Sequence, residues 1–109
     1  MKIPKPGVPV PSSRSGRPVV LLLEILGRRG ALRIGWELRD GALGFRELQR
    51  RAEISSPTLL TQRLREAVEL GAVMKDEDGR YVLTRHGREL VDILDPLDEW
   101  AKRWARRAG

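Results

Sequence analysis

One stretch of the chain, from Ser55 to Gly71, carries both a start signal and a stop signal for a helix. It reads SSPTLLTQRLREAVELG. Ser55 and Ser56 are candidate N-caps, and the proline that follows loses no hydrogen bond at the first helical position, where an N–H would be unpaired. Gly71 can adopt the left-handed conformation that ends many helices. These signals predict a helix of about four turns that begins after Ser56.

The predicted helix has an apolar side and a polar side. The apolar side consists of Leu60, Leu64, Ala67 and Val68, which recur at helical spacing. The polar side carries Thr58, Thr61, Gln62 and Arg65. Such side chains suit base edges and phosphates in a DNA groove, whereas a solvated face is the simpler interpretation of an isolated amphipathic helix. The segments on either side of the helix bear on this choice.

These flanking segments complete a helix-turn-helix followed by a hairpin. Residues 44–52 (GFRELQRRA) predict a short helix, so a short helix, a brief connection and a longer helix follow one another. After Gly71 the apolar period becomes that of a strand, at residues 72–75 and 81–83, with Asp78-Gly79 as a hairpin-turn signal. We therefore predict a mainly α-helical chain with a small β-hairpin, ordered as a winged helix-turn-helix.

Two further helices are predicted before this unit. Residues 19–26 (VVLLLEIL) are apolar on nearly all sides, which is typical of a helix covered on two faces. Residues 30–39 predict a second helix. Its inward-facing residues are expected to be Leu32, Trp36 and Leu38.

The C-terminal part is predicted to form two helices. Thr84 can cap a helix over residues 85–94, and Asp95-Pro96 is expected to break or restart it. The apolar stripe of the last helix includes Leu97, Trp100 and Trp104. Two tryptophans are more apolar area than a lone surface helix should expose, so they either fold back onto the core or meet a second chain.

Composition limits the chemistry available to the chain. It has 109 residues, no cysteine and one histidine, which excludes thiol chemistry and a multi-histidine zinc site. His86 is expected to be a solvated side chain. No spacing assembles a nucleophile with a base and a third positioning group. We expect no enzyme activity, no catalytic residue, no metal site and no cofactor.

Charge points to an anionic partner. The net charge is +6, which favours nucleic acid, and four basic residues without an acid lie in residues 1–18. This segment also holds five of the seven prolines, so it is predicted to be a disordered basic arm before a folded domain at residues 19–109. No apolar run reaches the ~20 residues of a membrane span, and the N-terminus lacks a signal-peptide pattern. We expect a cytoplasmic protein without membrane contact.

Several runs resemble one known family. They are FRELQRRAEISSPTLLTQRLREAVELGAV, then YVLTRHGREL and DPLDEWAKRW. They resemble the HxlR-type winged helix-turn-helix transcriptional regulators, small bacterial relatives of the MarR group, over roughly residues 18–106. The resemblance implies a homodimer joined through its N- and C-terminal helices, with the helix at residues 56–71 of each subunit in a major groove of double-stranded DNA.

The resemblance also assigns roles to single residues. The DNA-facing residues of the reading helix would be Ser56, Thr58, Thr61, Gln62 and Arg65. Arg46 and Arg80 would contact phosphates. Arg63 matches a family arginine but lies nearer the buried side, where a DNA-backbone contact and an intramolecular salt bridge both remain open. The dimer interface would include Leu22, Leu97, Trp100 and Trp104.

The chain departs from the family pattern in four places. Many members carry a sensing cysteine before the first helix, where this chain has Arg17-Pro18, so thiol sensing is not transferred. The wing is shorter and more acidic. Gly30 and Gly35 replace bulky residues. These two glycines either leave an apolar pocket for a small-molecule effector, near Trp36 and one of the terminal tryptophans, or are packed by neighbouring side chains.

Two functions remain open on this basis. The first is a sequence-specific transcriptional regulator that binds a pseudo-palindromic operator as a homodimer. The second is a winged-helix module that binds a protein and not DNA. The near-neutral folded body and the acidic wing tip, Asp76, Glu77 and Asp78, favour the second.

Overall fold

The computed structural model describes residues 17–108, so nearly all of the predicted arm lies outside the described residues. In chain order the elements are α1 (Pro18–Leu26), α2 (Ala31–Glu37), a 3-10 turn (Leu38–Asp40), α3 (Phe45–Arg51), α4 (Pro57–Leu70), β1 (Val73–Lys75), β2 (Tyr81–Leu83) and α5 (Arg85–Ala108). The expected fold class, mainly helical with a small antiparallel hairpin, is confirmed. None of the helices within this range has the length and apolar run that a membrane crossing needs.

Helix α4 begins and ends at the predicted residues. The Ser56 Oγ accepts a hydrogen bond from the N–H of Leu59 at 3.1 Å, and a proline occupies the first turn. Gly71 closes the helix in the left-handed region with φ of 88°. Leu60 and Leu64 are buried and Ala67 packs against the core, as expected. The inward position predicted for Val68 is wrong, because this side chain is about half exposed at the edge of the apolar stripe. Local signals alone are therefore sufficient to define this helix.

The core lies between α2, α3, α4 and the first strand. Its buried members are Ile34, Leu38, Leu48, Ala52, Ile54, Leu60, Leu64 and Val73. The inward position predicted for Leu32 is wrong, because this side chain is about half exposed. Ile34 and Leu38 form the buried stripe of this segment, and Leu32 lies two residues, or about 200° of helix rotation, from Ile34.

The hairpin follows α4 directly and has a third short neighbour. Val73 pairs with Leu83, and Lys75 pairs with Tyr81, in an antiparallel register. On the other edge of β2, Leu43 and Tyr81 exchange two backbone hydrogen bonds of 3.0 and 2.8 Å. Sequence reasoning missed this bridge, since a single residue carries no strand period.

Helix α5 is continuous, so the predicted break at Asp95-Pro96 is wrong. A proline inside a helix removes one hydrogen bond to the carbonyl four residues before it, here that of Asp92. Asp92 and Pro96 are both exposed, so water can hydrate this carbonyl and the helix continues. The consequence is a single helix that carries all the exposed apolar residues of the C-terminal part.

The first turn of α5 is held tightly against the residues that follow α4. A Cβ atom on Gly87 would lie 1.9 Å from the carbonyl oxygen of Ala72. Thr84 strengthens the same junction, since its N–H donates to Ala72 at 2.9 Å and its Oγ1 accepts from the N–H of Gly87 at 3.0 Å. Only glycine permits this close approach, which sets the direction of α5 relative to α4 and the hairpin.

Candidate nucleic-acid interface

The outward face of α4 is polar, and no other part of the described chain covers it. Its exposed side chains are Thr58, Thr61, Gln62 and Arg65. Within residues 17–108, none of these four takes part in a hydrogen bond or an ion pair. Ser56, also exposed, is engaged in the N-cap. An arginine, an amide and two hydroxyl groups on one helix face can together contact base edges and phosphates.

Helix α3 adds positive charge beside α4. Arg46 is exposed and has no intramolecular partner among the described residues. Glu47, in contrast, pairs with Arg50 and Arg51, and hydrogen bonds first from Arg50 and then from Arg51 lower the pKa of its carboxyl. Arg46 therefore remains an available cation, and it lines an open groove of about 480 Å³ together with Gln49 and Ser55.

Arg63 is not on this outward face. Its side chain is only 13% exposed, and its Nη1 lies 2.9 Å from Oε1 of Glu66. Its Nε donates to the carbonyl oxygen of Arg29 at 2.8 Å. Glu66 forms a second salt bridge, with Arg28. Of the two alternatives that the sequence left open, the structure has the intramolecular salt bridge, so we do not count Arg63 among the groups available to DNA.

The wing carries cations that are already partly neutralised. Arg80 is half exposed, and its guanidinium lies 3.6 Å from Asp76 and 3.3 Å from Asp78. Lys75 lies over the ring of Tyr81, with Nζ 5.5 Å from the ring centroid. Exposed ion pairs of this kind are weak, so a phosphate can replace an aspartate as the partner of Arg80.

A second exposed surface is apolar and lies on α5. Ile93, Leu97, Trp100 and Trp104 are each more than half exposed. In the described chain these side chains do not fold back onto the core. On α1, Leu22 is half-buried, whereas Val19 and Leu23 are more exposed. Sequence reasoning did not single out Ile93, Val19 and Leu23 as exposed apolar residues. The spacing of Ile93 from Leu97 and Trp100 could have indicated that Ile93 belongs to the same helix face.

The two glycines do not build a ligand pocket together. Gly30 has φ of 86°, and a Cβ there would lie 2.9 Å from Cδ1 of Ile54, so of the two alternatives left open for this glycine the structure has packing by a neighbouring side chain. Gly35 borders a partly open apolar cavity of only about 50 Å³. Ligand pockets usually measure about 300 Å³ or more. A wider open groove of about 390 Å³ lies beside Trp36, between α2 and α5.

The helix pair α3–α4, the hairpin directly after it and the exposed polar face of α4 define a winged helix-turn-helix protein. The model of the HxlR-like helix-turn-helix family matches residues 25–108, and the chain belongs to this family. It is therefore a transcriptional regulator of the helix-turn-helix type, a class without enzyme activity, and the family supports DNA binding.

Related proteins agree with this assignment. The chain is 25% identical, over 84 residues, to an uncharacterised HTH-type transcriptional regulator of Methanocaldococcus jannaschii, covering 73% of this chain and 78% of that protein. The crystal structure of a MarR-family regulator from Enterococcus faecalis has a TM-score of 0.74 at 27% identity, covering 89% of this chain and 93% of the other. Quinone-bound YodB from Bacillus subtilis has a TM-score of 0.72 at 26% identity, covering 78% and 94%.

Proposed function

We propose that the chain binds a pseudo-palindromic operator as a homodimer, with α4 of each subunit in a major groove. The observation that carries the proposal is the outward face of α4, whose polar side chains are exposed and unpaired in the described chain. Polar groups on one rigid helix need no rearrangement before they meet base edges. We place this activity in the cytoplasm, where such a regulator meets chromosomal DNA.

The proposed contacts divide into base readout and phosphate binding. Gln62 can form a bidentate pair with adenine, and Arg65 can pair with guanine where it reaches the groove floor. The shorter groups, Ser56, Thr58 and Thr61, fit the floor or the near phosphates. Arg46 and Arg80 bind phosphates, so they contribute affinity without sequence preference. Binding is expected to fall steeply as salt rises.

The dimer part of the proposal is supported by the apolar surface of α5. Leu97, Trp100 and Trp104 would pack against a second copy, together with Leu22 of α1. Exposing these large apolar side chains to water is unfavourable, and a partner that covers them removes this cost. A two-fold pair would hold two α4 helices about one DNA turn apart, which is the spacing of palindromic half-sites.

A small-molecule effector is a second part of the proposal. The open groove beside Trp36 has the volume of a small-ligand site, and its lining is largely apolar. The structural neighbour YodB is described in a quinone-bound form. A ligand in this groove would contact α2 and α5 together and would therefore act on the orientation of the dimer helix.

The decisive experiment is selection of bound duplexes from a random DNA pool, followed by anisotropy titrations at two salt concentrations. We expect a palindromic consensus, salt-dependent affinity and a dimer mass by light scattering. A well-folded protein that retains no duplex at low salt would contradict the proposal. That outcome would favour the protein-binding alternative, to which the acidic wing tip and the internally paired Arg80 are suited.

A further inference from the structure

The turn between α1 and α2 presents an arginine that the proposed function does not use. Backbone hydrogen bonds hold the turn, from the N–H of Arg28 to Ile25 at 3.1 Å and from the N–H of Ala31 to Arg28 at 3.0 Å. The side chain of Arg29 is exposed and contacts no charged or hydrogen-bonding group within residues 17–108. The backbone of the turn is thus fixed, and the guanidinium of Arg29 is available to bind an anion.

This turn is bonded directly to the side of α4. The Nε of Arg63 donates to the carbonyl oxygen of Arg29 at 2.8 Å. Glu66 accepts from Arg63 at 2.9 Å through one carboxylate oxygen and pairs with Arg28 through the other. Glu66 is 14% exposed and Arg28 is 24% exposed, so water screens these bonds only weakly. Arg28 and Arg63 are therefore committed to Glu66, and Arg29 is the cation that remains.

A second contact fixes the position of the turn. Gly30 packs so closely on Ile54, in the connection before α4, that an added Cβ would lie 2.9 Å from Cδ1 of that side chain. Its φ of 86° is in the left-handed region, which glycine adopts without strain. The turn is thus held by the middle of α4 on one side and by the residues before α4 on the other.

We propose that Arg29 is an additional DNA-phosphate contact, and that Glu66 is a positioning residue that holds it beside α4. The inference rests on the proposed function. A helix with its side chains is about 10–12 Å wide and the major groove about 12 Å, so groups on the flank of a reading helix face the phosphate rims. Glu66 lies one turn after Gln62, at only about 40° of rotation, so the network borders the proposed base-reading face.

The first test is Arg29→Ala in anisotropy titrations over several salt concentrations. Removing one phosphate contact lowers the slope of log affinity against log salt by roughly 0.9, and in a dimer the substitution removes two. We expect weaker binding by the same factor on the consensus and on a scrambled duplex. Arg29→Lys should recover most of the affinity, because an ammonium also binds phosphate.

The matched control is Arg106→Ala, which removes an exposed arginine without a partner in the described chain, at the far end of α5. It should leave affinity and salt slope unchanged. A wild-type salt slope retained in Arg29→Ala would overturn the proposed contact. Weakening confined to the consensus duplex would overturn it too, since it would make Arg29 a base reader.

Positioning by Glu66 is tested by a double-mutant cycle with Glu66→Gln, which keeps the size of the side chain and removes its charge. With the turn no longer held, Arg29→Ala should cost a smaller factor in affinity in the Glu66→Gln protein than in the wild type. Equal costs in both backgrounds would remove Glu66 from the inference. Circular dichroism checks that each variant is folded.

Failure of the inference differs from failure of the proposed function. If the wild-type protein binds no duplex at low salt, the proposed function fails and the inference fails with it. If the wild type binds with a steep salt slope and Arg29→Ala binds equally well, only the inference fails.

Discussion

Two exposed surfaces of this protein differ in polarity and therefore in how favourably water hydrates them. The outward face of α4 carries hydroxyl groups, an amide and a guanidinium, all of which water hydrates well. The stripe on α5 carries two tryptophans, a leucine and an isoleucine, each more than half exposed. Hydrated polar groups are stable without a partner, whereas the α5 stripe gains free energy whenever another apolar surface covers it.

This difference in hydration indicates which kind of partner each surface is suited to bind. A surface that is stable in water can stay open and bind an anionic polymer reversibly, under the control of salt. A surface that is unfavourable in water is suited to a lasting contact, and in the proposed function this contact holds two α4 helices at a fixed spacing. Substitutions can therefore test the two surfaces independently, and we expect the largest effect from a substitution in the apolar stripe of α5.

Trp104→Glu places a carboxylate in the apolar stripe of α5. We expect the dissociation constant of the proposed dimer to rise about a thousand-fold, or about 4 kcal/mol, because the variant lacks an aromatic anchor and would have to bury a charge. Sedimentation equilibrium measures the change. The control Ala105→Glu adds the same charge one residue away, off the stripe, and should remain dimeric. Wild-type association of Trp104→Glu would remove the apolar stripe from the interface.

Gly87→Ala changes the packing of the first turn of α5 against the residues that follow α4. It leaves the side chains of the polar α4 face and of the apolar α5 stripe unchanged. The new Cβ would collide with the carbonyl oxygen of Ala72, so α5 or the short connection between α4 and β1 must move. We expect the free energy of unfolding to fall by about 3 kcal/mol, at the upper end for overpacking. Urea denaturation followed by circular dichroism measures it, and unchanged stability would contradict the close approach.

Gln62→Ala tests whether the α4 face reads bases. We expect discrimination at one position of each proposed half-site to drop by about 2 kcal/mol, with the fold and the oligomeric state of the wild type retained. Arg46→Ala is the comparison, since removal of a phosphate contact should weaken all sequences alike. Competition titrations with single-base variants of the selected site measure both. Site preference that survives in Gln62→Ala would show that another face of α4 is turned to the bases.

Gly35→Ala is expected to have the smallest effect, and of the opposite sign. Its Cβ would lie 3.7 Å from Cγ2 of Val91, an ordinary contact, and alanine is the better helix former. We expect stability to rise by about 0.5–1 kcal/mol in the same urea assay used for Gly87→Ala. The bulkier Gly35→Leu exceeds a cavity of about 50 Å³ and should instead cost about 1–3 kcal/mol. A less stable Gly35→Ala would mean that the cavity is tighter than its volume implies.

Sequence reasoning succeeded where the controlling interactions are local. Ser56 and Gly71 cap α4 through bonds to residues three or four positions away, and Asp76 accepts from the N–H groups of Asp78 and Arg80 within its own turn. Apolar spacing also predicted the buried Leu60 and Leu64 of α4, although it wrongly included Val68. It placed the stripe of α2 wrongly at Leu32, because several apolar residues there compete and only packing selects among them.

The sequence by itself determined the order of elements from α1 to β2, the limits of α4, the hairpin and the polar character of the face that α4 presents, since each depends on neighbours along the chain. Only the tertiary structure decided that Arg63 pairs with Glu66 while Arg65 stays available, that Gly87 meets Ala72, and that α5 continues through Pro96. These outcomes depend on atoms brought together by packing from distant parts of the chain, or on whether water reaches a carbonyl, and neither is encoded in residue spacing.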